Sequence, residues 1–597
     1  MKLNIFIVFL FTTVIFSQTK NPEITAGEIY DHIKFLASDD LNGRQTGTED
    51  IRIAAEYLRT EFESYGLTPA FNNSFFQPVK FNSSVGLGNT NAMSINLNDE
   101  EIELDVEDGY MPLPFSGCKA LTNGMMVFAG FGITDPKNNY DDYANIDVKD
   151  KVVIIFRQYP DFNNPKTTFA NFRSLRQKAK TAKDKGAVAL IIVNGYEENL
   201  PSVETDEFVS FVYDKAPLMT EFPVIQIKRK HIENIFAKKG NSLENLFRII
   251  NTTKQPHSVE LKDATVSLTS HVYIIEGECN NVGAILEGND PVLKNEYIVF
   301  GAHYDHLGTS DEFSLTRTSS PEIHNGADDN ASGTVALLEL AEKLASVKDK
   351  LKRSFIFIAF TGEEMGLLGS AYVANNPPVT TDKMITMINL DMIGRLDSAK
   401  SLVIYGVGTS QKWNDLVNKL NPGFRLTLNP DGFGPSDQSS FYGKNIPVLF
   451  FFTGVHSDYH KPSDDIEKIN CEGEKEILDF VYAIAYDINS MEVKPDFISV
   501  PRKEMGSSSG WRAYVGTVPD FGSNEEGYKI SAITEGSPAA KGGMLAGDLM
   551  IRFGGKSVAN IYDYTAALQE LGPGDEVEVV VKRNNQEIKL KIILGMR

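Results

Sequence analysis

Cysteine is scarce in this sequence, and the scarcity removes two kinds of architecture. Cys118, Cys279 and Cys471 are the only three in 597 residues. An odd number, widely scattered, forms at most one bridge, so the fold cannot rest on a disulfide framework. No Cys-x-x-Cys spacing exists, which argues against a thiolate zinc site. Positive charge is also short. With 58 basic against 80 acidic residues the net charge is −22, which repels phosphate backbones and anionic headgroups, so no nucleic acid partner is expected. Long apolar runs are missing as well. The nearest approach is at the start, where Lys2 precedes an apolar stretch from Ile5 to Phe16, followed by Ser17 and Gln18. That pattern reads as a secretory signal peptide over residues 1–17. It is too short for a membrane span of about 20 residues, and no later segment comes closer. No cysteine near the cleavage point offers a lipid anchor. The expectation is an exported protein, periplasmic or extracellular, with no membrane span.

What is present describes a folded, multidomain chain. Hydrophobic residues at 42% and charged residues at 23% are ordinary for a soluble globular protein. The length exceeds a typical domain of roughly 100–200 residues several times over. Helical periodicity runs through residues 24–67, with Ile33, Leu36 and Ala37 in one stretch and Ile53, Ala54, Tyr57, Leu58 and Phe62 in another, ended by Gly66. From about 125 to 265 the texture becomes short strands: Val127 to Ala129, Val152 to Phe156, Ala189 to Val193 and Val224 to Ile227, with a helix at Ser174 to Lys185. This stretch reads as an inserted domain.

Residues 296–490 alternate buried strands with helices, the pattern of a mostly parallel sheet covered on both faces. The predicted strands are Tyr297 to Gly301, Ser354 to Phe360, Ile385 to Leu390 and Pro447 to Phe452. Helices follow Asn330 and span Glu474 to Ile488. The fold class is thus α/β, a mostly parallel mixed sheet sandwiched by helices. Residues 18–124 and 266–490 form its catalytic part and 125–265 the β-rich insert. Residues 491–510, rich in Pro, Ser and Gly, read as a linker, and 511–597 as a separate strand-rich domain.

In such a sheet, ligands bind beyond the carboxyl ends of the strands, where loops and helix N-termini converge. His303 and Asp305, Glu363 and Glu364, Asp391, and His460 all fall at those ends, while Asp329 precedes a helix. Singly each has an ordinary structural explanation: Asp329 as an N-cap, the glutamates at the positive end of a helix, either histidine in the core. Together they do not, because packing gives no reason to gather two imidazoles and several carboxylates at one rim. Like charges so close repel unless cations hold them. Two histidines with three carboxylates suit zinc, and one acid between two ions can bridge them. Asp305, two residues beyond His303, is placed to accept that ring's second N–H. Glu363, beside a ligand but free, has the position of a general base.

The strings "GAHYDHLG", "NGADDNASG", "AFTGEEMGLLGS", "NLDMIGR" and "DYHKPSDD", in that order, resemble the co-catalytic zinc peptidases of the aminopeptidase Y type, which include glutamate carboxypeptidase II. The resemblance covers residues 24–490 and is strongest from 296 to 465. It implies a zinc exopeptidase fold and two zinc ions per chain. Asp329 would bridge them, His303 and Asp391 would complete one site, and Glu364 and His460 the other, with Glu363 as base. It also implies that Tyr459 helps polarise the scissile carbonyl and that the Asp329–Asn330 peptide bond is cis. One departure is "GPSDQSSF", where many relatives carry histidine in place of Gln438, which bears on the substrate pocket.

The strings "VFAGFGI", "GAVALIIVNG" and "FPVIQI" resemble a protease-associated (PA) domain inserted in many of these enzymes. The strings "YVGTVPDF" and "GSPAAKGGMLAGDLMIRFGG" look like a PDZ domain of the bacterial protease type, which would hold a peptide C-terminus at Tyr514, Val515, Gly516 and Thr517. The expected activity is removal of N-terminal residues from peptide substrates. The alternatives are a carboxypeptidase, a one-zinc glutaminyl cyclase of the same fold, and a peptide-binding protein that has lost catalysis.

Overall fold

The computed structural model describes residues 22–596 except 99, 165–166, 197–205, 215, 239, 310–313, 317–320, 435, 501–512, 520–524, 535, 560–562, 565–566, 569–570 and 573. The signal-peptide segment and most of the expected linker lie outside the described residues. The chain divides into two compact units, residues 1–79 with 279–502 and residues 80–278 with 503–597.

The first unit is built on a nine-stranded mixed sheet. Its centre is parallel: Tyr297–His303 lies between Ser354–Phe360 and Met384–Leu390, and the latter pairs with Val448–Phe452. Ser401–Tyr405 joins antiparallel to Val448–Phe452, and Arg425–Asn429 extends that side in parallel. Val272–Leu286 pairs antiparallel with Ser354–Phe360 on the other side. The central strands are buried at every position, as two-sided coverage requires. Phe355, Phe357 and Ala359 join one core with the helices Ala26–Leu36, Glu49–Ser64, Gly333–Ser346 and Cys471–Ser490. Phe360, on the opposite face, meets Phe441 of the short helix Gln438–Tyr442 at 5.8 Å between ring centres.

Local chemistry sets where these helices begin. Thr25, Thr48 and Asn470 each accept a backbone N–H of the first turn through their side chains, a cap that stabilises a helix by about 1 kcal/mol. All four strands expected in this unit are present, and their observed bounds differ by at most two residues.

The domain boundaries differ from those read off the sequence. An eight-stranded sheet runs in the order Glu100–Leu104, Ala92–Leu97, Ser258–Ser270, Lys119–Ala129, Val152–Phe156, Ala189–Val193, Val224–Ile227 and Tyr110–Pro112. Residues 80–124 and 266–278 therefore belong with the insert. Their strands were hidden because one side of each is solvated: Ala92–Leu97 alternates exposed or half-exposed Ala92, Ser94 and Asn96 with buried Met93, Ile95 and Leu97. The apolar signal is halved, whereas the three all-buried strands stand out. The expected linker also shortens. Asp496 accepts the hydroxyl of Ser410 at 2.7 Å, and the Ile498 and Val500 amides donate to Thr409 and Tyr442, so residues 496–500 pack on the first unit.

In the C-terminal domain, Thr517–Pro519 is the edge strand of a six-stranded sheet and pairs with Tyr528–Ile533. Gly516 has φ +87, and a Cβ there would meet the Ser537 Cβ at 2.2 Å, which requires glycine at this turn. Among the described residues no helix is long and apolar enough to cross a membrane.

Two buried carboxyls sit in the helical layer of the first unit. Burial pushes Glu339 up to about 8 and raises Glu474 well above its ordinary value; neither Glu474 oxygen has a hydrogen-bond partner. The native state thus keeps protons that the unfolded chain releases above the ordinary carboxyl value of 4.5. The stability contributed by these groups is full below that value and declines as pH rises toward about 8. Calorimetry from about pH 5 to about pH 9 should show Tm falling more steeply in the wild type than in the double variant E339Q/E474Q. Parallel curves would contradict this account.

Candidate metal centre

The parallel strands deliver the expected residues to one rim. His303 ends its strand, Asp391 directly follows Leu390, and Glu363 and Glu364 follow the strand ending at Phe360. Asp329 lies before the helix Gly333–Ser346 but does not cap it: the Asn330 side chain accepts the Gly333 N–H at 2.9 Å. The Asp329 carboxylate is thereby left for other work. The Asp329–Asn330 peptide bond is cis. His460 adopts φ +53 in the loop after Val448–Phe452.

The distances define two positions that share Asp329. The His303 Nε2 stands 3.4 Å from Asp329 Oδ1 and 3.5 Å from Asp391 Oδ1. The His460 Nε2 stands 3.3 Å from Asp329 Oδ2 and 3.2 Å from Glu364 Oε2. With zinc bonds of about 2.0–2.1 Å, two ligands on a tetrahedral edge lie about 3.3 Å apart. All four separations match that edge, and the two Asp329 oxygens face different histidines. Asp391 Oδ1 is buried without a hydrogen-bond partner, as suits an oxygen turned toward a cation. The donor set and its spacing fit two zinc ions.

The remaining expected residues surround this pair. Glu363 reaches only 4.0 Å from His303 Nε2, outside the ligand edge. Tyr459 stacks on His460 with ring centres 3.9 Å apart. Asp305 departs from expectation: His303 Nδ1 faces the Asp305 backbone carbonyl at 3.2 Å, while its carboxylate oxygen is 3.7 Å away. That carboxylate instead accepts the Thr46 hydroxyl at 2.9 Å and the Glu363 backbone N–H at 3.1 Å. Asp305 therefore anchors the backbone of Glu363. Gln438 is buried and accepts Asn389 Nδ2 at 3.0 Å, and burial pushes neighbouring Asp437 up to about 7.

Three residues that the sequence did not single out hold the loops. Arg44 is fully buried and donates to the carbonyls of Leu36, Tyr304, Asn325 and Gly326, joining the His303 loop to the Asp329 loop. The Asp464 Oδ2 accepts the N–H groups of both Asp328 and Asp329 at 3.0 Å, and its Oδ1 accepts Arg395. His306 Nδ1 lies 2.7 Å from Glu364 Oε1. The second histidine of "HYDH" and the first of the two aspartates closing "DYHKPSDD" stood inside quoted motifs; Arg44 had no signal, because its partners are main-chain carbonyls, one eight residues away and three from two distant segments.

The charges in this cluster are set by one another. Burial raises Glu363 well above its ordinary value, and the like charges of Glu364, Asp437 and Asp391 add to that, against His303. For His460, burial opposes the charged ring, yet Asp329 and Glu364 outweigh it and push the imidazole up to about 10. His303 moves upward on the same balance, burial being overcome by Asp391 and Glu363. Asp329 goes well below its ordinary value, the two histidines outweighing its burial.

Comparison with known proteins finds similar sequences and folds. Residues 281–485 match Peptidase family M28, residues 116–235 the PA domain and residues 519–594 the PDZ domain. Three segments of the chain are thus similar to a peptidase family M28 unit, a PA domain and a PDZ domain. It is 29% identical over 344 residues to Aminopeptidase YwaD of Bacillus subtilis, covering 55% of this chain and 64% of that one. It is 27% identical over 220 residues to Leucine aminopeptidase 2 of Trichophyton rubrum, covering 32% and 41%. The chain thus spans less than two thirds of the length of these relatives. Among solved structures, BSAP, a zinc aminopeptidase from Bacillus subtilis, aligns with a TM-score of 0.43 at 23% identity over 78% of this chain and 96% of that one.

Metal uptake must displace the protons that the acids hold on the histidines. Below about pH 10 the His460 ring of the metal-free protein is charged, so zinc affinity should rise by about tenfold per pH unit for each proton released. Calorimetric titration in two buffers of different ionisation enthalpy should show at least one proton released per pair of ions. Binding without proton release would contradict these charge states.

Proposed function

We propose that this chain is an exported metallo-aminopeptidase that hydrolyses N-terminal peptide bonds with two zinc ions. The observation that carries the reading is the bridging placement of Asp329, one oxygen toward His303 and the other toward His460. His303, Asp329 and Asp391 would hold one ion, and Asp329, Glu364 and His460 the other. Bound there, the ions supply Lewis-acid activation of water and of the scissile carbonyl. The chain's own groups carry the protons. Glu363, beside the His303 position but outside the ligand edge, takes the proton of the attacking water and returns it to the leaving amine. Asp305 holds the Glu363 backbone N–H and so aims that carboxylate.

Tyr459 is raised above its ordinary value by burial and then by Asp329, Glu364, Glu363 and Asp391. It therefore keeps its phenolic proton and donates it to the oxygen on which charge develops. The names of the B. subtilis and T. rubrum relatives favour an aminopeptidase over the carboxypeptidase alternative. Export rests on the apolar stretch of residues 1–17. The PDZ turn at Tyr514, Val515, Gly516 and Thr517 would receive a peptide C-terminus by strand addition along Thr517–Pro519.

Replacing Glu363 by Gln should lower kcat by about 10³-fold while two zinc ions per chain are retained, measured by aminoacyl chromogenic turnover and elemental analysis. Turnover near the wild-type value would remove Glu363 as base. Cleavage of N-acetylated peptides in preference to free ones would overturn the aminopeptidase reading, and one tightly held ion would turn it toward a glutaminyl cyclase.

A further inference from the structure

His306 competes with His460 for the second metal position, since His306, Asp329 and Glu364 also converge within metal-binding range. The distances separate the two rings. His460 Nε2 lies 3.2 Å from Glu364 Oε2, the length of a ligand edge. His306 Nδ1 lies 2.7 Å from Glu364 Oε1, which is a hydrogen bond and too short for two atoms sharing one zinc. An ionised carboxylate only accepts, so the Nδ1 must carry the proton. The two Glu364 oxygens are thus divided, Oε1 to His306 and Oε2 to the side of His460.

We propose that His306 is a positioning residue that restricts Glu364 to one-oxygen ligation of the second zinc. This rests on the two-zinc reading above. The ring is held for the task. It is fully buried, its backbone N–H donates to the Arg44 carbonyl at 3.2 Å, and a Cβ on Gly326 would meet its Cγ at 2.5 Å, so the ring lies against that glycine with no room to swing. Its Nε2 is buried and has no hydrogen-bond partner, so the Nδ1 contact is the polar function the ring serves. A carboxylate free to bind through both oxygens would fill the coordination position that water or substrate must take. A donor on one oxygen keeps that position open.

The test uses two amides that place their nitrogen differently. H306N sets its amide where Nδ1 stands, and H306Q sets it where Nε2 stands. The wild type is measured first: uptake of a single zinc would fail the two-zinc reading itself, independently of His306. Given two ions, H306Q should weaken the second zinc by about tenfold or more in competition with a chelator. It should lower kcat more than it changes KM, and raise the oxygen coordination seen by X-ray absorption. H306N should restore affinity, kcat and coordination to near the wild-type values. Should H306Q fail to fold, H306F, which keeps the ring shape without a donor, takes its place. Wild-type zinc affinity and coordination in the variant lacking the donor would overturn the proposal, as would loss of the second ion in H306N, which would make His306 itself a ligand.

Discussion

The mutual repulsion of buried acids is the constraint around which the first unit is organised. Asp329, Glu363, Glu364 and Asp391 converge on two histidines in a site where little water screens them. Two like charges a few ångströms apart at low dielectric oppose each other by several kcal/mol, so such a cluster persists only if the surrounding fold holds it and cations neutralise it. The opposite shifts inside the cluster show the strain plainly. Glu363 is driven up while Asp329 is driven down, because Asp329 has an imidazole against each oxygen whereas Glu363 comes no nearer than 4.0 Å to the His303 ring.

The fold meets this constraint with hydrogen bonds made to the main chain. Arg44 brings a guanidinium into the layer beneath the site but spends its donors on four carbonyls. Its charge is felt by the acids while its bonds tie loops together. Asp464 grips the Asp328 and Asp329 amides, and Asn330 takes over the capping role that Asp329 would otherwise fill. Each device fixes a ligand's backbone rather than its side chain, which leaves the carboxylate oxygens clear for metal. Asp305 does the same for Glu363. The acid expected to orient a histidine holds the Glu363 main chain instead.

The insert and the C-terminal domain are different solutions to burial. In the insert, three parallel strands buried at every residue share a sheet with the antiparallel pair Ala92–Leu97 and Glu100–Leu104, which faces solvent on one side. In the PDZ domain, Gly516, with positive φ, shapes the turn that leads into the edge strand Thr517–Pro519. The five candidate ligands, His303, Asp329, Glu364, Asp391 and His460, all belong to the first unit.

Much of the catalytic unit was determined by the sequence by itself, for a physical reason. Strands buried on both faces are mostly apolar, with exceptions such as Ser354, Thr386 and Asn389, so Tyr297–His303, Ser354–Phe360 and Met384–Leu390 stand out and, with them, the rim where His303, Glu363, Glu364 and Asp391 stand. Only the tertiary structure decided which atoms meet. The insert's start at residue 80 depends on pairing between strands whose apolar signal is halved by solvent. The roles of Arg44, Asp305, His306 and Asp464 depend on bonds to main-chain groups and carboxylate oxygens that every sequence contains alike. A backbone carbonyl has no letter of its own, so where a buried arginine finds four of them is settled in three dimensions.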